Sequence, residues 1–207
     1  LVTLEANLPE TLAVNEYVVD GRGNPAEALA ATGFWIHTTE SMVALLEWLR
    51  QFNDGRPYDD RVRFHGVDAQ FTHEAVARLE QFLETVAPDL RTALSDDLAA
   101  TDDHGERTDQ HASNHDPAAT DRLLDRLGES FDSREEEWTT ATNKREVRLA
   151  RRCLHVVEQV RERRQIRESS SDPEAMAVRD EAMAENLAWL LEHVGTDRAV
   201  VLAHDAH

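Results

Sequence analysis

Two periods of apolar residues run through this chain. Three short runs have strand length: Leu1-Val2-Thr3-Leu4, Val62-Arg63-Phe64 and Ala199-Val200-Val201-Leu202-Ala203. Each runs into ionisable residues: the first into Glu5, the second through His65 and Gly66 to Asp68, the third into His204, Asp205 and His207. A short continuous apolar run is the pattern of a buried strand, and the last run is expected to be one. In open α/β sheets ligands bind beyond the carboxyl ends of the strands, so three strand ends tipped with carboxylates or imidazoles predict one shared site.

Between these runs the period is helical. Glu10 to Val19 and Pro25 to Ala31 read as short helices separated at Gly21-Arg22-Gly23-Asn24. Thr38 or Thr39 caps a longer helix, with Glu40 in its first turn near the positive end of the dipole. Met42, Leu45, Leu46, Leu49 and Phe52 form its core stripe, and Asn53-Asp54-Gly55-Arg56-Pro57 ends it. A helix from about Thr72 carries Val76, Leu79, Phe82, Leu83 and Val86. Asp121 to Phe131 predicts a short helix and Arg134 to Arg167 a long one, whose arginines alternate with glutamates and should pair three and four residues apart. The final helix has Asp172 as cap, Pro173 as first residue and Gly195 as terminator. Its apolar line is Met176, Met183 and Leu190; Arg179 and Asn186 lie about 60° round from it by the helical turn. Polar groups so close to a buried stripe need partners, and Arg179 is placed to meet a strand-end carboxylate.

Composition limits the choice of function. The net charge of −19, from 41 acidic and 22 basic residues, argues against nucleic acid and against an anionic membrane surface. Lys144 is the sole lysine, and this acid-rich, lysine-poor balance is that of a halophilic protein whose self-repulsion is screened by salt. Cys153 is alone, which removes internal disulfides and points to a reducing cytoplasm. No apolar run reaches the length of a membrane span. The stretch from Asp96 to Asp116 is acidic and holds His104, His111 and His115, read as a helix end and a solvated loop.

The candidate chemistry lies in Glu5, Asp68, His204 and His207, with Arg179 in support. A carboxylate beside an imidazole orients it and raises its basicity, which suits a general base that activates water. An arginine or second imidazole can stabilise the oxyanion formed when an ester carbonyl is attacked. Taken singly, Glu5 and Asp68 fit a helix cap or turn as well as catalysis. The same two histidines and two carboxylates fit a zinc or iron site, although His-Asp-Ala-His beyond a strand is not the helical His-Glu-x-x-His arrangement. No Gly-x-Ser-x-Gly elbow is present, and Cys153 sits within a helix as packing. His37, His65, His73, His155 and His193 read as structural or surface residues.

Several stretches follow one another in the order seen in one family. They are Leu4-Glu5-Ala6, Asn15-Glu16-Tyr17-Val18, Phe34-Trp35 to Glu40, Leu46-Glu47-Trp48-Leu49-Arg50, Asn53, Phe64-His65-Gly66-Val67-Asp68, Arg179-Asp180 to Met183-Ala184-Glu185-Asn186-Leu187, and Ala203-His204-Asp205-Ala206-His207. In these the chain resembles the erythromycin esterase family, some of whose members carry the label succinoglycan biosynthesis protein. The resemblance implies an α/β fold, a parallel sheet with surrounding helices, predominantly helical by residue count. It implies one domain over 1–207 with a mostly helical insertion at about 88–170. It also implies hydrolysis of a macrolide lactone or other bulky ester by histidine-activated water, an antibiotic-resistance activity needing no cofactor. Residue by residue, Glu5, Asp68, His204 and His207 correspond to the family's catalytic positions. Arg179, Asn186, Trp35 and Glu40 correspond to substrate or oxyanion support. Asp205 stands where the family has asparagine. The family's Gly-Glu-x-x-His-Gly segment, with its proposed general base, would precede Leu1, and the family continues beyond His207, so the domain is expected to be partial at both ends. The alternatives are a metal- or heme-iron-binding protein that uses His204 and His207, and a non-catalytic fragment. The partner is a small-molecule ester; oligomeric state is not legible.

Overall fold

The computed structural model describes residues 1–103, 116–169 and 172–204, residue 172 by its backbone alone. His104, His111, His115, Asp205 and His207 lie outside the described residues, as does the side chain of the expected cap Asp172. The chain forms two compact units: Leu1–Asp68 with the stretch from Arg179 onward, and Ala69–Val178.

The first unit is built on a parallel sheet. β1 (Val2–Asn7) lies between β2 (Phe64–Asp68) and β3 (Val200–Leu202), in the order β2-β1-β3. Val2, Thr3 and Leu4 pair with Phe64, His65 and Gly66 on one side and with Val200, Val201 and Leu202 on the other. After Leu4 the register with β2 slips, and Asn7 meets Asp68. β1 therefore spends three steps where β2 spends two, which is the geometry of a bulge. Gly66 is the residue that permits it: a Cβ there would lie 2.1 Å from the Ala6 carbonyl oxygen and 2.5 Å from that of Asn7.

Helices α1 (Leu12–Asp20), α2 (Pro25–Ala31) and α3 (Glu40–Asn53) belong to the sheet unit. α1 stops at Gly21, whose φ of 70° is left-handed. Asn24 caps α2 through the N–H groups of Ala26 and Glu27, and Thr39 caps α3 through that of Met42. Leu4, Ala6, Val14, Val18, Leu29, Leu46, Leu49 and Phe64 form the core. Asn53 joins three segments there, donating to the carbonyls of Val18 and Val62 and accepting from the N–H of Val62. Two polar side chains also serve backbone donors of β2: Asn15 Oδ1 accepts from Phe64 N–H and Thr11 Oγ1 from Gly66 N–H, which keeps buried backbone groups paired.

Two expectations for this unit need correction. β3 is not buried: Val200, Val201 and Leu202 are 58%, 46% and 38% exposed, because the strand stands at the described edge of the sheet with side chains bare on both faces. Phe52 is also exposed rather than core, stacked on Trp48 and covered by the Arg56 guanidinium 3.9 Å from its ring centre.

The second unit is helical. It contains α4 (His73–Val86), α5 (Pro88–Ala93), α6 (Ser95–Thr101), α7 (Pro117–Ala141) and α8 (Lys144–Ser169). The stripe Val76, Leu79, Phe82 and Leu83 is buried, and Phe82, Phe131 and Trp138 stack in mutual contact. The expected break near Phe131 is absent. α7 continues to Ala141, and the Ser130 and Ser133 hydroxyls bond back to the carbonyls of Arg126 and Glu129. Two α8 arginines reach across to α7: Arg161 to Asp121, and Arg151 to Asp132 and Glu135. Cys153 is buried, as packing requires. The last helix, α9 (Asp172–Val194), starts in this unit and crosses into the first at Arg179. Among the described residues no helix is long and apolar enough to cross a membrane.

Candidate functional site

Glu5 stands in the bulged stretch of β1, Asp68 at the carboxyl end of β2, and Arg179 joins them. Its Nε lies 3.0 and 3.2 Å from the two Asp68 oxygens. Its Nη2 donates to Asp68 Oδ2 at 2.5 Å and to Glu5 Oε1 at 2.7 Å. The other Glu5 oxygen, Oε2, accepts the backbone N–H of His204 at 2.7 Å. One carboxylate thus ties β1 both to α9 and to the residue that leaves β3.

Burial makes these contacts count. The Asp68 side chain is fully buried, that of Arg179 is 10% exposed and that of Glu5 16%. Burial pulls the Arg179 pKa down, but hydrogen bonds and charge from Asp68, then from Glu5, outweigh it, and the pKa ends above its ordinary value. The guanidinium is therefore a fixed positive charge. Its hydrogen bonds to the two carboxylates run from Nε and Nη2.

Asn186, one face along α9, is fully buried and donates from Nδ2 to the Val67 carbonyl at 2.8 Å. Its amide holds β2 to the helix next to Asp68. Glu40 is exposed at the start of α3, and Trp35 is exposed in the preceding 3-10 turn; among the described residues neither is hydrogen-bonded to Glu5, Asp68 or Arg179. His204 is described at the end of β3, and His207 lies outside the described residues. Among the described residues no group of three or more histidine, cysteine, aspartate or glutamate side chains is arranged to hold a metal.

Sequence reasoning missed two contributors. His37 Nε2 lies 3.2 Å from the Glu5 carbonyl oxygen, and nothing in its local sequence marks it. Gly66 is required by the bulge; its place between His65 and Val67 in an apolar strand was the available signal.

The profile of the erythromycin esterase family matches residues 1–207. No protein of curated function matches significantly. Among solved structures, a Bacillus cereus protein is 20% identical with a TM-score of 0.74, covering 100% of this chain and 49% of its own. A succinoglycan biosynthesis protein is 19% identical with a TM-score of 0.70, covering 100% and 48%. A variant of the erythromycin esterase EreC, in its open conformation, is 16% identical with a TM-score of 0.65, covering 98% and 52%. At such identities the likeness is one of fold, and the chain spans about half the length of each of these structures.

Proposed function

Since the chain belongs to the erythromycin esterase family, we propose that it forms part of a hydrolase that cleaves a macrolide lactone or another bulky carboxylic ester with histidine-activated water. The observation that carries the reading is the Arg179 guanidinium held by Asp68 and Glu5, with Glu5 also holding the backbone of His204. Both Glu5 oxygens are engaged, so this carboxylate serves orientation. The base is then an imidazole: His204, His207, or the histidine of the family's upstream segment.

In the reaction the imidazole takes a proton from water as the water oxygen attacks the ester carbonyl carbon. The carbonyl π pair moves onto oxygen, and the Arg179 guanidinium stabilises the resulting oxyanion. Collapse of the tetrahedral intermediate breaks the bond to the alkoxy oxygen, which receives the proton from the imidazolium. The products are a carboxylic acid, which ionises, and an alcohol. Asp68 keeps Arg179 fixed, so that no reorganisation accompanies charge development.

The test compares the chain with His204→Ala on phenyl acetate and on a macrocyclic lactone in molar salt, with and without chelator. Loss of about 10²- to 10⁴-fold in the variant, insensitive to chelator, is expected for a general base. Hydrolysis that survives the substitution assigns the base elsewhere, and hydrolysis abolished by chelator favours a metal held by the histidines. A folded chain that cleaves neither ester removes the idea that its own histidines activate the water.

A further inference from the structure

A cavity of about 380 Å³ lies within the helical unit, between α4 and α8 and beside Thr142 and Asn143, which join α7 to α8. Its walls are two matching stripes, Arg78, Phe82 and Thr85 along α4 and Glu146, Ala150 and Cys153 along α8, each on one helical face. Packed helices close such a gap when large side chains meet across it. Here the buried wall residues of α8 are alanine and cysteine, and the Phe82 ring is held by stacking on Phe131 and by edge contact with Trp138. The space left has the size of a small-ligand pocket.

Floor and rim differ in character. Phe82, Ala150 and Cys153 are buried, whereas Gln81, Asn143 and Glu146 are exposed. The rim also has a sign. Arg78 is paired with Glu74 of its own helix at 2.9 Å. Among the described residues the Glu146 carboxylate has no ionic partner, while its backbone N–H donates to Asn143 Oδ1 at 3.0 Å and so fixes the first turn of α8. The chain's net charge of −19 draws cations toward it as a whole.

We propose that this cavity binds a small organic cation carrying one aromatic ring, with the ring against Phe82, Ala150 and Cys153 and the ammonium group at Glu146. An aromatic ring beside Phe82 gains more than its buried area alone supplies. An anion would meet Glu146 and the field of the chain, and an aliphatic ammonium ion would leave the floor empty. Every wall residue belongs to the helical unit, so the proposal does not depend on the esterase reading of the Arg179 cluster.

The experiment titrates the full chain by calorimetry with phenethylammonium, with its carboxylate counterpart hydrocinnamate and with methylammonium, at moderate ionic strength because salt screens an exposed pair. The variants are Glu146→Gln, Ala150→Leu, which builds a side chain into the space, and Glu136→Gln, which removes the same charge from an exposed position on α7 outside the wall. Circular dichroism and urea midpoints establish that each is folded. Phenethylammonium is expected to saturate a single site with a Kd of about 1 mM or tighter. Glu146→Gln should weaken it about fivefold, the upper worth of an exposed ion pair, and Glu136→Gln should leave it unchanged. Ala150→Leu should abolish saturation, and neither hydrocinnamate nor methylammonium should saturate.

Hydrocinnamate binding as tight as that of phenethylammonium overturns the proposal. Equal loss in Glu146→Gln and Glu136→Gln does so too, since charge would then act from the surface as a whole. A folded Ala150→Leu chain that binds like the parent, or a folded parent that shows no saturation, has the same consequence. Should Ala150→Leu not fold, the comparison of the two glutamine variants decides.

Discussion

Replacing Asp68 by alanine leaves the Arg179 guanidinium, 10% exposed, with Glu5 as its remaining anionic partner among the described residues. Three contacts of 2.5 to 3.2 Å disappear, all within a fully buried carboxylate's reach. Breaking one side of a buried, hydrogen-bonded ion pair costs about 3–5 kcal/mol, because the surviving charge is stranded away from water. Asp68→Asn keeps the shape and one acceptor and should cost about 1.5–3 kcal/mol, the worth of a hydrogen bond to a charged group. Arg179→Met takes the guanidinium from both Asp68 and Glu5 and should cost at least as much. The double variant Asp68→Ala with Arg179→Met should cost about 1–2 kcal/mol less than the sum, since the Asp68–Arg179 pair is removed together while Glu5 still loses its guanidinium partner. Urea unfolding read by tryptophan fluorescence and far-UV circular dichroism gives each value from the midpoint at constant slope. Molar salt should leave the coupling almost intact, because a buried pair is poorly screened. The Arg179 pKa is raised, so the stability tied to its charge is complete below its unfolded-state value and lost only as pH climbs through the folded one; its titration adds no change across neutral pH. A cost below about 1 kcal/mol for Asp68→Ala, or strict additivity in the cycle, would refute this reasoning.

Two further substitutions probe the scaffold behind the site. Gly66→Ala drives a methyl group to 2.1 Å from a backbone oxygen that cannot swing aside, so a loss of about 3 kcal/mol or more is expected in the same urea assay; a near-neutral alanine would mean that the bulge is not needed. Asn53→Ala removes three hydrogen bonds at a fully buried position and strands backbone groups of Val18 and Val62, for about 2–4 kcal/mol. A midpoint shift worth less than about 1 kcal/mol would show that those groups find other partners.

The helices were legible where one apolar stripe dominates, as with Val76, Leu79, Phe82 and Leu83, because amphipathic periodicity reports burial directly. The three strands among the described residues fall where short apolar runs meet ionisable residues. Burial of β3 was misjudged because a strand's exposure depends on its neighbours in the sheet, which its own composition does not encode. The boundary between Phe131 and Arg134 was misplaced because polar residues there suggest a loop, whereas serine hydroxyls that bond back to helical carbonyls let the helix run on. Within the site, Arg179 could be foreseen beside a carboxylate from its position flanking a buried line. The bulge at Glu5 and the bond from His37 to its carbonyl could not, since both arise from register between segments far apart in sequence.

Asp68 and Arg179 have one more property, which concerns chain length. They are the last residue before the helical unit and the first after it, 111 positions apart, and they are bonded to each other. The excursion is thus clasped at its base by a salt bridge that belongs to the sheet. Closing a longer excursion costs entropy only slowly, about 0.6 kcal/mol for each doubling of its length. Residues can therefore be added to or removed from the helical unit while the clasp keeps Glu5, Asp68 and Arg179 in place. Changes in the length of the excursion therefore fall on the chain beyond the clasp, and the charged cluster stays where strands and helix put it.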